Sequence, residues 1–486
     1  MAWEGMPSPA ALLAGWRPDS GAGPDLAAHD RWWLDEGRAL SETVDRAGTP
    51  ALIAHDRLGR PVDRIAFPAE YRRLLLRGYA EGVVARAFDE DSLLPGYCIG
   101  YVTSFHDAGL YCPYTVSLAT AVAVHKYAPD ALRDAVLPRL TRRNEGVWQG
   151  ATWMTEAGGG SDLGANVATC ARRDGERWRL EGDKYFASNA GAETAIVAAR
   201  PEGAAAGVRG LALFLLLRED DDGALNYRIR RLKDKIATRS VPTGEIALGG
   251  SEAWLLGAAD TGIYLIMEAL NVSRVANSIA AAALLQRALA EAVRFASERR
   301  AFGRAVVDQP LFRRQTDAWW TSLRECFALA WAAADELDVV WRERPPYSER
   351  YHRFRLLAHL AKLHTAEQAV QCAKWSMEAH GGNGAVADFG VERLLREAMI
   401  LSIWEGTPHR QMLDGLEVMQ RQQAHEGLIE WLGEPAGADT QRAAIARLLE
   451  QDAERAQGDL EPVFREFAAW TARALGERLP DFPDVQ

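Results

Sequence analysis

The stretch ATWMTEAGGGSDLGANVATCARRDGERWRLEGDKYFASNAGAETAIVAAR, residues 151–200, marks a change of character in the chain. Upstream, apolar residues recur at three- and four-residue steps, the period of a helix. From Gln149 onward, short apolar runs between turn residues take over. Six such runs stand between residues 151 and 250: ATWMTE, RWRLEG, TAIVAAR, LALFLLL, YRIRRL and GEIALGG. Turns such as RRDGE and EDDDGA separate them. This pattern predicts a small antiparallel β-domain over residues 149–256.

On the N-terminal side, RWWLDEGRALSETVDRAG, AEYRRLLLRGYAEGVVARAFDE and TVSLATAVAVHKY predict a helical domain over residues 1–148, with few strand-like runs. On the C-terminal side, helix resumes at Asp260. Val272, Val275, Ile279, Ala282, Leu285, Leu289, Val293 and Ala296 form one apolar stripe. Further long helices are expected at about 310–342, 350–379 and 386–402, completing a helical domain over 257–420. Residues 421–486 read as a helical tail interrupted by EPAGAD. The fold class expected is therefore α+β: a helical N-terminal domain, a β-domain and a C-terminal helical bundle.

Composition narrows the function. A chain of 486 residues calls for two to four packed units. Its net charge of −11 and pI near 5.5 argue against a general affinity for nucleic acid or anionic lipid. No apolar run has the length of a membrane span, and the N-terminus has no basic region followed by a clean apolar stretch. The five cysteines are scattered, with neither a CxxC pair nor zinc spacing, and the histidines form no HExxH. A cytoplasmic protein with reduced thiols and no metal is expected.

Three segments carry candidate chemistry. In WMTEAGGGSDL, Thr155 and Ser161 flank Gly158–Gly160, a turn that frees backbone N–H groups or is simply a turn. In SERRAFGRAVVDQP, Arg299 and Arg300 suit either a helix C-terminus or a pyrophosphate. In HGGNG, residues 380–384, a Gly-Gly step offers N–H donors to an anion. Downstream in IWEGTPH, Glu405 sits at a helix end before the Gly406 break, where a lone Glu is ordinarily solvated.

Together these segments resemble the acyl-CoA dehydrogenase family from about residue 60 to 420, most closely over MTEAGGGSDL, GDKYFASN, ASERRAFGR and HGGNG…VERLLREAMILSIWEGT. The segment LKDKIATRSVPTGEIAL, residues 232–248, is similar to the AidB-like branch. The resemblance implies the acyl-CoA dehydrogenase fold and an FAD cofactor. It implies that Met154, Thr155, Ser161, Phe186, Ala187 and Ser188 line the isoalloxazine and pyrophosphate. Phe186 stands where the family has a flavin-stacking tryptophan. Arg299, Phe302, Gln309, Gly381 and Gly382 would serve the FAD of a neighbouring subunit, in a homodimer or homotetramer. Trp404, Gly406, Thr407 and His409 would hold the remaining edge, with His409 replacing the usual Gln or Asn.

The same resemblance makes Glu405 the catalytic base for α,β-dehydrogenation of an acyl thioester. Ser161, Asn271, Arg274, Glu405 and Gly406 would contact the substrate, and Asn271 stands where the family has a carboxylate. That change leaves acyl-CoA and an acyl-carrier protein both open. Electrons would pass to an electron-transfer flavoprotein or another acceptor. An oxidase or monooxygenase on the same scaffold is the alternative. DNA binding, implied by the AidB-like branch, is opposed by the tail, which holds 7 Arg and no Lys against 13 Asp plus Glu after Gln420.

Overall fold

A computed structural model describes residues 6–18 and 25–480. The chain divides into two compact units that do not follow sequence order. One comprises residues 35–92 and 109–273, the other residues 1–34, 93–108 and 274–486.

The first unit holds the sheet. Strands β3 (Thr152–Trp153), β4 (Cys170–Asp174), β5 (Arg177–Ser188), β6 (Thr194–Pro201), β7 (Ala212–Leu217), β8 (Arg228–Leu232) and β9 (Thr243–Leu256) form one seven-stranded sheet. Its order is β3-β6-β4-β5-β9-β7, with β8 on β9, and β6 also pairs β7, so the sheet closes on itself. Most pairings are antiparallel, as the short turns require, but β3–β6 and β4–β6 are parallel. Strand β4, CARRD, was not among the six runs. Its burial pattern keeps only Ala171 fully inside, so it carries too little apolar signal to be seen. The core is built from inward-facing Leu180, Val197, Phe214, Leu216 and Ile246. Emptying one such site costs about 3–5 kcal/mol for a Phe.

Ahead of this sheet, β1 (Ala51–His55) and β2 (Pro61–Ala66) form an antiparallel hairpin inside the stretch read as helical. Its tip, DRLGR, places Gly59 at φ 76°, and Asp56 accepts from the Leu58 and Arg60 backbone N–H groups. Helices Arg38–Ala47, Ala69–Glu81, Tyr111–Tyr127 and Asp130–Leu140 also belong to this unit.

The second unit is helical. The Gly262–Glu298 helix crosses the division between units, and every residue of the apolar stripe read from Val272 to Ala296 is buried. Helices Pro310–Val340, Glu349–Ala379 and Val391–Ile403 fall close to the expected spans. The third starts at Val391 because Gly390, at φ 70°, ends a preceding 3-10 turn. The tail is docked, not free. Its last helix, Ala453–Gly476, buries Leu460, Phe464, Phe467 and Leu475, and Trp470 Nε1 donates to Ala436 O at 2.8 Å. Among the described residues no helix is long and apolar enough to cross a membrane.

Candidate active site

Glu405 lies in the break between two helices. The Val391–Ile403 helix ends at Trp404, whose φ, ψ of −70°, 166° are extended. Pro408 then opens the Pro408–Gln422 helix at its first position, where a missing N–H costs nothing. Between them the chain turns through two left-handed residues, Glu405 at φ 57° and Gly406 at φ 100°. For a glutamate this conformation costs about 1–3 kcal/mol and persists only where surroundings over-determine it. At Gly406 a Cβ would also stand 2.6 Å from Gln411 Nε2.

The surroundings are unusually polar for a helical core. Gln411 Nε2 donates to Glu405 O at 2.9 Å and to Gly406 O at 3.0 Å. Lys362 Nζ donates to Gly406 O at 2.7 Å and Ser402 O at 2.8 Å. Arg274 Nε reaches Glu405 O at 3.2 Å, and Arg274 Nη2 pairs with Asp414 Oδ2. Trp404 is anchored through its ring N–H to Asn277 Oδ1.

The Glu405 carboxylate is treated differently from its carbonyl. Its Oε2 is buried and has no hydrogen-bond partner among the described residues. Burial pushes its pKa up to about 7, against the pull of the Arg274 and Lys362 charges. Burial also brings Lys362 down to about 7, helped by Arg274 and opposed by Glu405 and Glu367. A carboxylate so placed is a base of useful strength near neutral pH with a free lone pair. A solvated helix-end glutamate would have neither property.

Of the other expected substrate contacts, Arg274 is at this turn. Asn271, three residues earlier on the same helix, is buried.

In the sheet unit, Met154, Thr155 and Ser161 follow β3 and Phe186, Ala187 and Ser188 end β5. The two segments meet where Tyr185 N donates to Thr155 O at 3.0 Å. The β5–β9 register shifts between Lys184 and Ala187, so Tyr185 and Phe186 leave the ladder. Phe186 is 55% exposed, and Lys233 Nζ sits 4.6 Å from its ring centroid. Met154 and Ala187 are buried, Ser161 is exposed, and Ser188 Oγ lies 3.4 Å from Thr243 Oγ1. Gly160 packs on Thr155 so closely that a Cβ there would collide with its hydroxyl.

Arg299, Phe302, Gln309, Gly381 and Gly382 form another group in the helical unit. Phe295 stacks on His380 at 4.3 Å between centroids, joining the two segments. Arg299, Gly381 and Gly382 are exposed, and Phe302 is 97% exposed at the tip of a two-residue hairpin. Gln309 Nε2 donates to Ala301 O at 3.0 Å, bracing that hairpin. Thr407 is half-buried and His409 exposed beside Glu405 in sequence.

Lys362, His359, Gln411, Asn277 and Asp414 were not foreseen. The signal for two of them was present in LLAHLAKLHTA: His359 and Lys362 are three residues apart on one face of an otherwise apolar helical stretch.

Domain families match this arrangement in order. The AidB N-terminal domain matches residues 23–145, the acyl-CoA dehydrogenase middle domain 151–251 and its C-terminal domain 260–419. The chain belongs to the acyl-CoA dehydrogenase family, in its AidB-like branch. Acyl-CoA dehydrogenase family member 11 of Caenorhabditis elegans is 31% identical over 409 residues, covering 79% of this chain; the chain spans 65% of that relative, just under two thirds. The putative acyl-CoA dehydrogenase AidB of Escherichia coli is 28% identical over 90% of this chain and 81% of its own length. The solved structure of C. elegans ACDH-11 in complex with C11-CoA superposes with a TM-score of 0.83 at 26% identity, covering 98% of this chain and 86% of that one.

Proposed function

We propose that this acyl-CoA dehydrogenase family member is an FAD-dependent oxidoreductase that desaturates an acyl thioester between Cα and Cβ. The observation that carries the reading is Glu405: a buried Oε2, unpaired among the described residues, on a left-handed turn, with its pKa raised to about 7.

The residues present fit FAD. Phe186 offers an exposed ring off the sheet ladder, and the Gly158–Gly160 turn is too tight for a side chain at Gly160. Met154, Thr155, Ser161, Ala187 and Ser188 would meet the ring and pyrophosphate beside Phe186. Trp404, Gly406, Thr407 and His409 would hold the remaining edge. Arg299, Phe302, Gln309, Gly381 and Gly382 would serve a neighbouring subunit's cofactor. When bound, FAD supplies the hydride acceptor.

The chain's own residues manage the proton. Glu405 takes the α-proton of the thioester, which is only weakly acidic and needs a positioned, desolvated base. Backbone N–H donation from Glu405 to the thioester oxygen would stabilise the enolate as charge develops there. Arg274, already committed to Asp414 and to Glu405 O, orients the turn. Asn271 would offer an amide to the substrate where the family has a carboxylate.

Anaerobic mixing of the flavin-loaded protein with a panel of acyl-CoAs tests the reading. Bleaching of the visible flavin band by at least one thioester is expected. Failure of the whole panel, with an acyl-carrier-protein thioester included, would overturn it. Slow reoxidation of the reduced flavin by oxygen separates a dehydrogenase from an oxidase.

A further inference from the structure

Three buried side chains converge on the two carbonyls of the Glu405–Gly406 turn. Arg274, Lys362 and Gln411 are each no more than 2% exposed. Only Arg274 was expected there. The amide of Gln411 is the informative one. Carbonyl oxygens only accept, so the Gln411 atom facing Glu405 O and Gly406 O must be Nε2. Its Oε1 then faces His359 Nδ1 at 2.8 Å, and that nitrogen must carry the proton. His359 is fully buried, and among the described residues its Nε2 has no partner. Burial and the Arg274 charge hold it neutral down to about pH 3. The histidine is therefore a fixed Nδ1–H donor across the working range, not a titrating group.

Resting on the reading of Glu405 as base, we propose that His359, Gln411 and Lys362 are positioning residues that lock the Glu405–Gly406 turn in its left-handed form and so aim the carboxylate. The locking runs in series: His359 fixes which way the Gln411 amide points, and the amide grips both carbonyls. Lys362 closes the turn from the neighbouring helix by joining Gly406 O to Ser402 O, the end of the preceding helix. The charge of Lys362 also favours ionised Glu405. The charged groups that face the pair are Arg274 from the Gly262–Glu298 helix and Glu367 from Lys362's own helix, while Asp414 and Arg410 from the Pro408–Gln422 helix and Arg355 act on Arg274. None of the three positioning residues needs to touch substrate.

Hydrogen exchange over residues 404–411 reads the turn directly, and anaerobic flavin reduction by undecanoyl-CoA reads its consequence. His359→Leu and Gln411→Met should raise exchange at the turn by about tenfold or more. They should slow reduction by about 10–100-fold, the scale of a misplaced base. His359→Asn, whose side-chain amide stands close to Nδ1, should restore both, whereas His359→Gln should not. Lys362→Met should move the pH midpoint of reduction upward, and Lys362→Arg should hold it near the parent's. Flavin content and thermal midpoint identify any variant that has merely unfolded, and the His359 series stands without Lys362→Met. Turn exchange at the parent rate in His359→Leu and Gln411→Met would overturn the proposal. If instead exchange rises as expected while Glu405→Gln still reduces flavin at the parent rate, the lock stands and the assignment of the base falls.

Discussion

Arg274 Nη2 lies 3.1 Å from Asp414 Oδ2, with both side chains 3% exposed. A buried pair of this kind contributes little over an apolar pair, but removing one member strands a charge. Asp414 also holds Arg410. Asp414→Asn should therefore cost about 3–5 kcal/mol in chemical denaturation. Burial raises the Asp414 carboxyl, but the Arg274 and Arg410 charges hold it below its ordinary value, and His359 adds to them only once it protonates at about pH 3. Its stabilisation is thus present above the unfolded pKa and lost as pH falls through the lower folded value. A variant as stable as the parent at pH 7 would show that Arg274 finds another counter-ion.

A comparable pair sits in the sheet unit. Lys184 Nζ meets Glu156 Oε1 at 2.6 Å and Ala198 O at 2.7 Å, while Glu156 also accepts from Thr169 and the Ala168 N–H. Glu156→Gln should destabilise by about 3–5 kcal/mol, and adding Lys184→Met should recover much of that loss. Burial brings Lys184 down to about 8. Between there and its unfolded value, near 10.5, the unfolded chain binds more protons, so this group's contribution grows as pH rises. Additive losses in a double-mutant cycle would show that the two groups are not coupled.

The order of helix, sheet and helix was legible because burial on one face imposes a period on each element. The stripe from Val272 to Ala296 and runs such as LALFLLL are read directly as buried surface. The β1–β2 hairpin was not, because ALIAH and PVDRIA are short and half-exposed. Nor were the parallel pairings, since the period of a strand says nothing about its partner. At the candidate site the sequence pointed to Glu405 through its resemblance to a family. The polar groups that bend and hold the turn come from helices up to 131 residues away, and no local pattern announces them.

Phe302 is 97% exposed at φ 49°, an unfavourable place for an aromatic ring unless something covers it. A second copy of the chain is the expected cover, as the family resemblance implies for the Arg299 segment. Sedimentation of the flavin-loaded parent should give at least a dimer at micromolar concentration. Phe302→Ser should weaken that association and lower flavin retention together. A monomeric parent that keeps its full flavin would sink this expectation.

The Glu405→Gln variant has two predicted effects of opposite sign. Gln keeps the shape of Glu but cannot accept the α-proton, so flavin reduction should fall by about two to four orders of magnitude. Stability should move the other way. The folded pKa of Glu405 is raised to about 7 from an ordinary 4.5, chiefly by burial. Its contribution is therefore fully present below the unfolded pKa and is lost as pH rises through about 7, because the folded chain must then bury a carboxylate. Removing the charge should stabilise the protein at pH 8 by up to about 2–3 kcal/mol and change little at pH 4. A solvated helix-end glutamate predicts neither change. Denaturation midpoints at the two pH values, beside stopped-flow reduction at pH 8, separate the readings. A variant that is slower but no more stable at pH 8 would mean that Glu405 is the base yet is not buried as a charge. One that is more stable but just as fast would place the base elsewhere.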